Sequence, residues 1–313
     1  MSKHSPRRKL FALIVSILTV GTALAYLYYG DELAKAFREL ASIHYSSIAS
    51  VYNDAVDEGE LEVHIIDVGQ GDSTLIRSAD GNILIDAGTN ASEAVLKAHL
   101  DACGVKAIDY LICTHPHEDH IGGADMIIDN YNVKNVLITD LRSSDSSFTA
   151  LLDRIVKSDT FAAIPNTGDV YTLGDISFTV LGPLDTYEDE NDMSLIIRLT
   201  FGDTTFLFTG DAGYPAERDL IERYSVDELN CDFYKIAHHG SNTSSSKELL
   251  ELITPEIAAV SAGKDNEYGH PRGEVLIRLA EAGCATVLRT DTMGTVIVKS
   301  DGKVLTEGAR QTQ

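Results

Sequence analysis

His115-Pro116-His117-Glu118-Asp119-His120 places four side chains of metal-ligand type within six residues. Two imidazoles two positions apart on an extended turn can point the same way, and Asp119 and His120 can reach round to a second position beside them. Buried without a cation, each of these groups needs its own hydrogen-bond partner. A solvated surface loop is the bland alternative, because short motifs also match by accident. The flanks argue against it. Ile108 to Thr114 reads as a strand and Ile121 to Tyr131 as a helix, which sets the histidines at a strand's carboxyl end, where α/β proteins concentrate chemistry.

Outward from this loop the mixture of strand and helix continues. Short β-branched runs bounded by Gly, Asn and Asp predict strands at Leu61 to Asp67, Ser73 to Arg77 and Asn82 to Asp86, the last two joined as a hairpin through Ala79-Asp80-Gly81. A helix from about Ala91 to Ala102 follows. Beyond the loop the pattern predicts strands at Val136 to Thr139, Phe161 to Pro165, Ile176 to Leu181, Leu195 to Phe201 and Thr205 to Thr209. Helix Pro215 to Tyr224, strand Asp232 to Ala237, helix Lys247 to Leu252, strand Ile257 to Ser261, helix Gly273 to Ala282 and strands Thr286 to Arg289 and Thr295 to Lys299 complete it. No strand-only or helix-only block separates off, so residues 59–306 read as one α/β domain of two helix-covered sheets, with a tail at 307–313.

Other fragments are weak singly. Asp86 stands in Ile85-Asp86-Ala87-Gly88, Asp211 in Thr209-Gly210-Asp211-Ala212, and His238 and His239 in Ala237-His238-His239-Gly240-Ser241. Gly69-Gln70-Gly71-Asp72 invites a phosphate-loop reading but lacks the Lys and downstream Ser/Thr of a nucleotide loop, so a glycine turn supporting the site is preferred. The run from Ser241 to Ser246 reads as the loop before a helix, with Ser245 or Ser246 as its cap.

Taken in order, these pieces resemble the metallo-β-lactamase superfamily, whose central motif is His-x-His-x-Asp-His after a β-strand. The resemblance runs from about Leu61 to Leu305 and implies an αββα four-layer sandwich. It also implies two divalent metal ions. His115, His117 and Asp211 would hold the first, and Asp119, His120 and one of the adjacent pair, His238 in preference to His239, the second, with Asp211 bridging and Asp86 orienting the His-rich loop. More narrowly, Asp67-Val68-Gly69-Gln70-Gly71-Asp72-Ser73, Asn191-Asp192-Met193-Ser194-Leu195, the His238-His239 segment and Tyr268-Gly269-His270-Pro271 resemble the hydrolase domain of the ComEC DNA-uptake family and its stand-alone relatives. One departure stands out: no histidine lies between His120 and His238, where many superfamily members carry one. Asn191 or Asp192 occupies that interval and makes the first position richer in oxygen, which suits zinc and also admits manganese. The resemblance gives Asp119, Asp211, His239 and His270 catalytic roles, and sets Asp72, Asp86, Asn191, Asp192, Ser194 and Ser241 behind the ligands or facing substrate.

The first residues are of another kind. Lys3, Arg7, Arg8 and Lys9 precede an uncharged run from Leu10 to Tyr29, and about 20 apolar residues at a 1.5 Å rise cover a bilayer core. Basic residues before the run, with Asp31 and Glu32 after it, predict a cytoplasmic N-terminus and an exported remainder. Ala23-Leu24-Ala25 offers a signal-peptidase site, but the run exceeds a usual signal core, so an anchor at 1–29 is preferred to a secreted form. Residues 30–58, with Leu33, Phe37 and Leu40 at helical spacing, read as a stalk. A formal net charge of −23 argues against tight non-specific nucleic-acid binding. Cys103, Cys113, Cys231 and Cys284 lack Cys-x-x-Cys spacing, which implies buried free thiols.

These readings converge on an exported hydrolase in which the metal pair lowers the pKa of a bound water toward about 7. The resemblance points to a phosphodiester: extracellular nucleic acid, a nucleotide or a cell-surface polymer. A lactone, β-lactam or thioester hydrolase uses the same chemistry, and a non-catalytic exported binding module is the reading from another class.

Overall fold

The computed structural model describes residues 55–141, 143–158 and 160–308. The expected anchor, and all but the end of the expected stalk, lie outside the described residues, among which no helix is long and apolar enough to cross a membrane.

The strands run β1 (Leu61–Ile65), β2 (Thr74–Ser78), β3 (Gly81–Ile85), β4 (Ala107–Cys113), β5 (Asn132–Ile138) and β6 (Phe161–Ala163) in the first half. Then come β7 (Val170–Leu173), β8 (Ile176–Gly182), β9 (Ile196–Phe201), β10 (Thr204–Phe208), β11 (Phe233–Lys235), β12 (Ile257–Val260) and β13 (Thr286–Arg289), and finally β14 (Val296–Ser300) and β15 (Leu305–Glu307). They form two sheets, ordered β15-β14-β1-β2-β3-β4-β5-β6 and β13-β12-β11-β10-β9-β8-β7. In each, an antiparallel portion passes into parallel strands, β3 to β6 in one and β10 to β13 in the other.

The period-two alternation of the strands builds the core. Leu61, Val63 and Ile65 of β1, Ile83 and Ile85 of β3, Phe206 and Phe208 of β10 and Phe233 of β11 meet between the sheets in one buried cluster. Each such side chain stabilises the fold by roughly 1.5–3 kcal/mol relative to exposure. The opposite faces take helices: α1 (Glu93–Ala102), α2 (Glu118–Ile121), α3 (Ala124–Asn130) and α4 (Ser146–Lys157) belong to the first half. The second half adds α5 (Tyr214–Arg223), α6 (Val226–Leu229), α7 (Lys247–Ile253), α8 (Gly273–Glu281) and the short α9 (Thr290–Met293). Leu220, Leu249, Leu250, Ile253, Val275 and Leu279 pack against the outer face of the second sheet. Two sheets covered by helices is the architecture expected.

Some elements differ. The helix expected from Ile121 to Tyr131 is two helices parted at Gly122-Gly123, where the backbone leaves helical dihedrals at Gly123 and a Cβ on Gly122 would lie 2.4 Å from the backbone nitrogen of Asn90. Helix α4 was not expected, although Asp145 caps it and Phe148 and Leu151 bury one face. The short edge strands β7 and β15 were also missed, and β15 runs one residue past the expected domain end. Ser246 caps α7 through its side chain, accepting from Leu249 N. All four cysteines are free thiols, three of them buried and Cys284 half-buried.

Candidate metal centre

Adjacent parallel strands β3 and β4 bring the His-rich loop to its place. Asp86, just past β3, adopts a φ of 58°, a left-handed conformation that Asp tolerates better than most residues. Its carboxylate accepts hydrogen bonds from Thr114 N at 2.8 Å, Thr114 Oγ1 at 2.7 Å and His120 Nδ1 at 2.7 Å. One side chain thereby pins the end of β4 and fixes the His120 ring with Nε2 turned away from it. Gly71 permits a second support: a Cβ there would lie 2.7 Å from the Asp119 carbonyl oxygen, and that carbonyl accepts from Asp72 N at 2.9 Å. This is the glycine turn preferred over a phosphate loop.

The second sheet closes the site. Asp211 follows β10 and His239 follows β11. His120 Nε2 lies 3.2 Å from Asp211 Oδ1. His239 Nε2 lies 3.2 Å from Asp119 Oδ2 and 3.6 Å from Asp211 Oδ2. His115 Nε2 is 3.1 Å from His117 Nδ1 and 4.0 Å from Asp211 Oδ2. The Ser261 carbonyl, 3.0 Å from His239 Nδ1, can only accept, so it places the proton on Nδ1 and leaves Nε2 a lone pair. Three atoms in this cluster, His120 Nε2, Asp211 Oδ1 and His239 Nε2, are buried without a hydrogen-bond partner. Lone pairs and carboxylate oxygens facing one another across such gaps fit a bound cation. Burial opposes a charged His120, but Asp211 and Asp86 outweigh it and lift its pKa well above the usual imidazole range. Burial likewise opposes ionised Asp211, yet His120 and His239 hold its pKa far down. The local field therefore favours positive charge at the centre.

Residues 66–264 match the family model described as metallo-beta-lactamase superfamily. The chain belongs to that superfamily. It is 32% identical over 264 residues to ComE operon protein 3 of Bacillus subtilis, covering 78% of this chain and 34% of the relative. It is 29% identical over 267 residues to competence protein ComA of Neisseria gonorrhoeae, covering 82% and 35%. This chain thus spans about a third of the length of these relatives. Among solved structures, the metallo-beta-lactamase fold protein YhfI of Bacillus subtilis superposes with a TM-score of 0.53 at 16% identity, over 80% of this chain and 100% of that one. The chain is a metallo-hydrolase of the superfamily with competence proteins among its relatives.

The remaining candidates fall into place around the superfamily's cluster. Of the two adjacent histidines between which the sequence leaves the ligand open, the structure brings His239 rather than the preferred His238 into the cluster. His239 is buried in the cluster, whereas the half-buried His238 sits at its margin, with Nε2 at 3.8 Å from Asp211 Oδ2 and Nδ1 at 3.3 Å from Thr243 Oγ1. Asp192 is buried and accepts from Gly213 N at 2.8 Å, a loop-holding role. Asn191 and Asp192 both line a cleft of about 410 Å³ with Asp211 and His238, and the Asn191 Oδ1 is buried without a partner. Ser194 Oγ accepts from Asp211 N at 3.1 Å and donates to Asn191 O at 2.7 Å, tying the two segments together. Ser241 Oγ contacts Thr243 Oγ1 at 2.9 Å. Asp72 forms a buried ion pair with Lys235 of β11 at 2.5 Å, which clips the two halves together. His270 stacks on His239, and burial with the neighbouring histidines pushes its pKa down to about 4. Reading the sequence missed Glu190, whose Oε2 lies 3.3 Å from His117 Nε2, as well as Lys235 and Ser261. Only Glu190 carried a signal, its position beside Asn191 in the segment without a histidine.

Proposed function

We propose that the chain is a metal-dependent phosphodiesterase, held at the outer face of a cell membrane by its N-terminal apolar segment. The observation that carries the hydrolytic part is the convergence of the partnerless atoms of His120, Asp211 and His239. His115 Nε2, His117 Nδ1 and Asp211 would hold one divalent cation, zinc or manganese. Asp119, His120, His239 and the other side of Asp211 would hold the second. Metal ions bound there supply Lewis acidity, lowering the pKa of water and offsetting charge on a reacting phosphoryl group.

The chain's own residues do the rest. Asp86 and the Ser261 carbonyl hold the Nδ1 protons of His120 and His239, so both Nε2 atoms face inward and would offer their lone pairs to a cation that displaces the second proton. His270, neutral at pH 7, presents an acceptor beside the cluster rather than an acid. The Asn191 amide in the cleft orients an incoming substrate. The phosphodiester class is supported by the likeness to competence proteins. Export is supported by the uncharged Leu10 to Tyr29 run behind its basic flank.

The test is a set of initial rates for the full chain, supplied with zinc or manganese, on bis-p-nitrophenyl phosphate, single-stranded DNA and a chromogenic lactam. Turnover of the phosphodiesters that stops with a chelator is expected. Turnover of the lactam alone moves the chain to the acyl-hydrolase reading, and no turnover of any substrate by metal-loaded protein moves it to the binding-module reading. A tag after Gln313 should be open to protease on intact cells, and its protection until lysis reverses the topology.

A further inference from the structure

A second histidine cluster lies away from the catalytic one, beneath α1. Along β1 the residues Leu61, Val63 and Ile65 face the inter-sheet core, while Glu62 and His64 face the helix layer. A sheet face beneath an amphipathic helix ordinarily takes aliphatic side chains, yet here Glu62, His64, Arg77, His99 and Cys103 are all buried. That is a costly group of residues to bury together without a specific set of partners.

Its geometry is that of a ligand set. His64 Nδ1 lies 3.0 Å from His99 Nε2, and Cys103 Sγ lies 3.6 Å from His99 Nε2 and 3.9 Å from His64 Nδ1. A tetrahedral zinc ion, with nitrogen at about 2.05 Å and sulfur at about 2.3 Å, sets edges of about 3.3 Å between nitrogens and about 3.6 Å from nitrogen to sulfur. The observed triangle is close to that face. His99 and Cys103 are four residues apart at the end of α1, which places both side chains over the same strand. Behind the triangle, Glu62 Oε2 lies 3.1 Å from His64 Nε2, which holds the proton there and turns the Nδ1 lone pair toward the other two groups. Arg77 and Lys299 hold Glu62 in turn, at 3.2 and 2.7 Å.

We propose that His64, His99 and Cys103 form a structural zinc site, distinct from the catalytic pair, that ties the end of α1 to β1, with solvent in the fourth position. The state of the groups agrees. Burial lowers the pKa of both imidazoles and keeps them neutral, which is the form that ligates. Burial also pushes the Cys103 thiol up to about 12, so the thiolate forms only as the cation arrives and a proton leaves. The rival is a hydrogen-bonded relay in which His99 Nε2–H donates to His64 Nδ1.

The residues of the catalytic cluster include no thiolate, so sulfur separates the two sites. Cobalt(II) added to the metal-stripped full chain should produce a near-ultraviolet thiolate-to-cobalt band. The band should persist in His120→Ala and vanish in Cys103→Ser, which should also bind one equivalent less. A band absent from the wild type, retained in Cys103→Ser, or lost in His120→Ala overturns the proposal. Should Cys103→Ser fail to fold, zinc-edge X-ray absorption of the wild type decides alone: a sulfur scatterer at about 2.3 Å supports the site, and a shell of nitrogen and oxygen only overturns it.

Discussion

Two buried histidine clusters in one domain contrast in what surrounds the imidazoles. At the sheet ends, His120 and His239 turn their free nitrogens toward the carboxylates of Asp119 and Asp211, and three of the polar atoms have no hydrogen-bond partner. Under α1, His64 and His99 face each other and a thiol, and the carboxylate of Glu62 sits behind them, held by two cations. The first arrangement concentrates negative charge in front of the ligands, as a site that must bind and polarise a substrate requires. The second keeps its charges behind the ligands, as a site that only holds chain segments together can.

The sharpest test of this contrast is Asp211→Asn. Its amide keeps an oxygen for one cation but removes the charge that offsets repulsion between two. Phosphodiester turnover should fall by roughly 1,000-fold in excess metal, with the circular dichroism unchanged. Cys103→Ser should leave turnover near the wild-type rate. Comparable losses in the two variants would erase the division between a working and a holding cluster.

Asp86→Ala comes next. It removes acceptors for Thr114 N, Thr114 Oγ1 and His120 Nδ1 at once. Metal affinity at the catalytic end should weaken by roughly 10–100-fold, measured by competition with a chromogenic chelator. An unchanged affinity would show that the His-rich loop holds its shape without this carboxylate.

A pH titration addresses the other cluster. Burial works against ionised Glu62, but hydrogen bonds from His64 and Lys299 prevail and bring its pKa from 4.5 down to about 2. A depressed carboxylate pKa contributes stability that is full above 4.5 and is lost as pH falls through about 2. Glu62→Gln should therefore destabilise the fold at neutral pH by on the order of 1–2 kcal/mol, after discounting for solvent screening. That difference should shrink between about pH 5 and about pH 2 in urea unfolding. A difference independent of pH would remove the electrostatic account of this region.

The smallest effect is expected at Ser244, which lies near the catalytic end but donates only to the carbonyls of Ala237 and Ser241. Ser244→Ala should cost about 1 kcal/mol of stability and leave turnover within about twofold, because the mechanism requires no hydroxyl nucleophile. Loss of activity in that variant would call for a covalent serine route.

The same contrast separates what the sequence disclosed from what it withheld. Four ligand-type residues within His115 to His120 are legible because the chain itself sets them side by side, and Asp86 and Asp211 were reachable as strand-end aspartates in order. Choosing between His238 and His239 was not possible, since adjacent residues differ only in backbone conformation and both here have positive φ. The cluster of His64, His99 and Cys103 joins a strand to a helix 35 residues on, and no spacing rule announces it. Longer strands with one face in the core were found by alternation, whereas the four residues of β7 alternate in burial but carry an apolar Val170 on the exposed face, which masks the period. Helix α4 did carry a helical spacing in Phe148, Leu151, Leu152 and Ile155, hidden by the Ser- and Asp-rich flank before it.

The order of the first sheet has a kinetic consequence. Strand β1 pairs with β2 on one edge and with β14 on the other, so its second edge waits for residues 296–300 to be synthesised. At about 5–20 residues per second this lasts on the order of tens of seconds on the ribosome. During that time an apolar strand exposes unpaired backbone groups that could template pairing with another chain. The charged side chains of Glu62 and its partner Arg77 lie on the same sheet face and interrupt it. That edge closes only when the C-terminal hairpin of β14 and β15 arrives to pair with it.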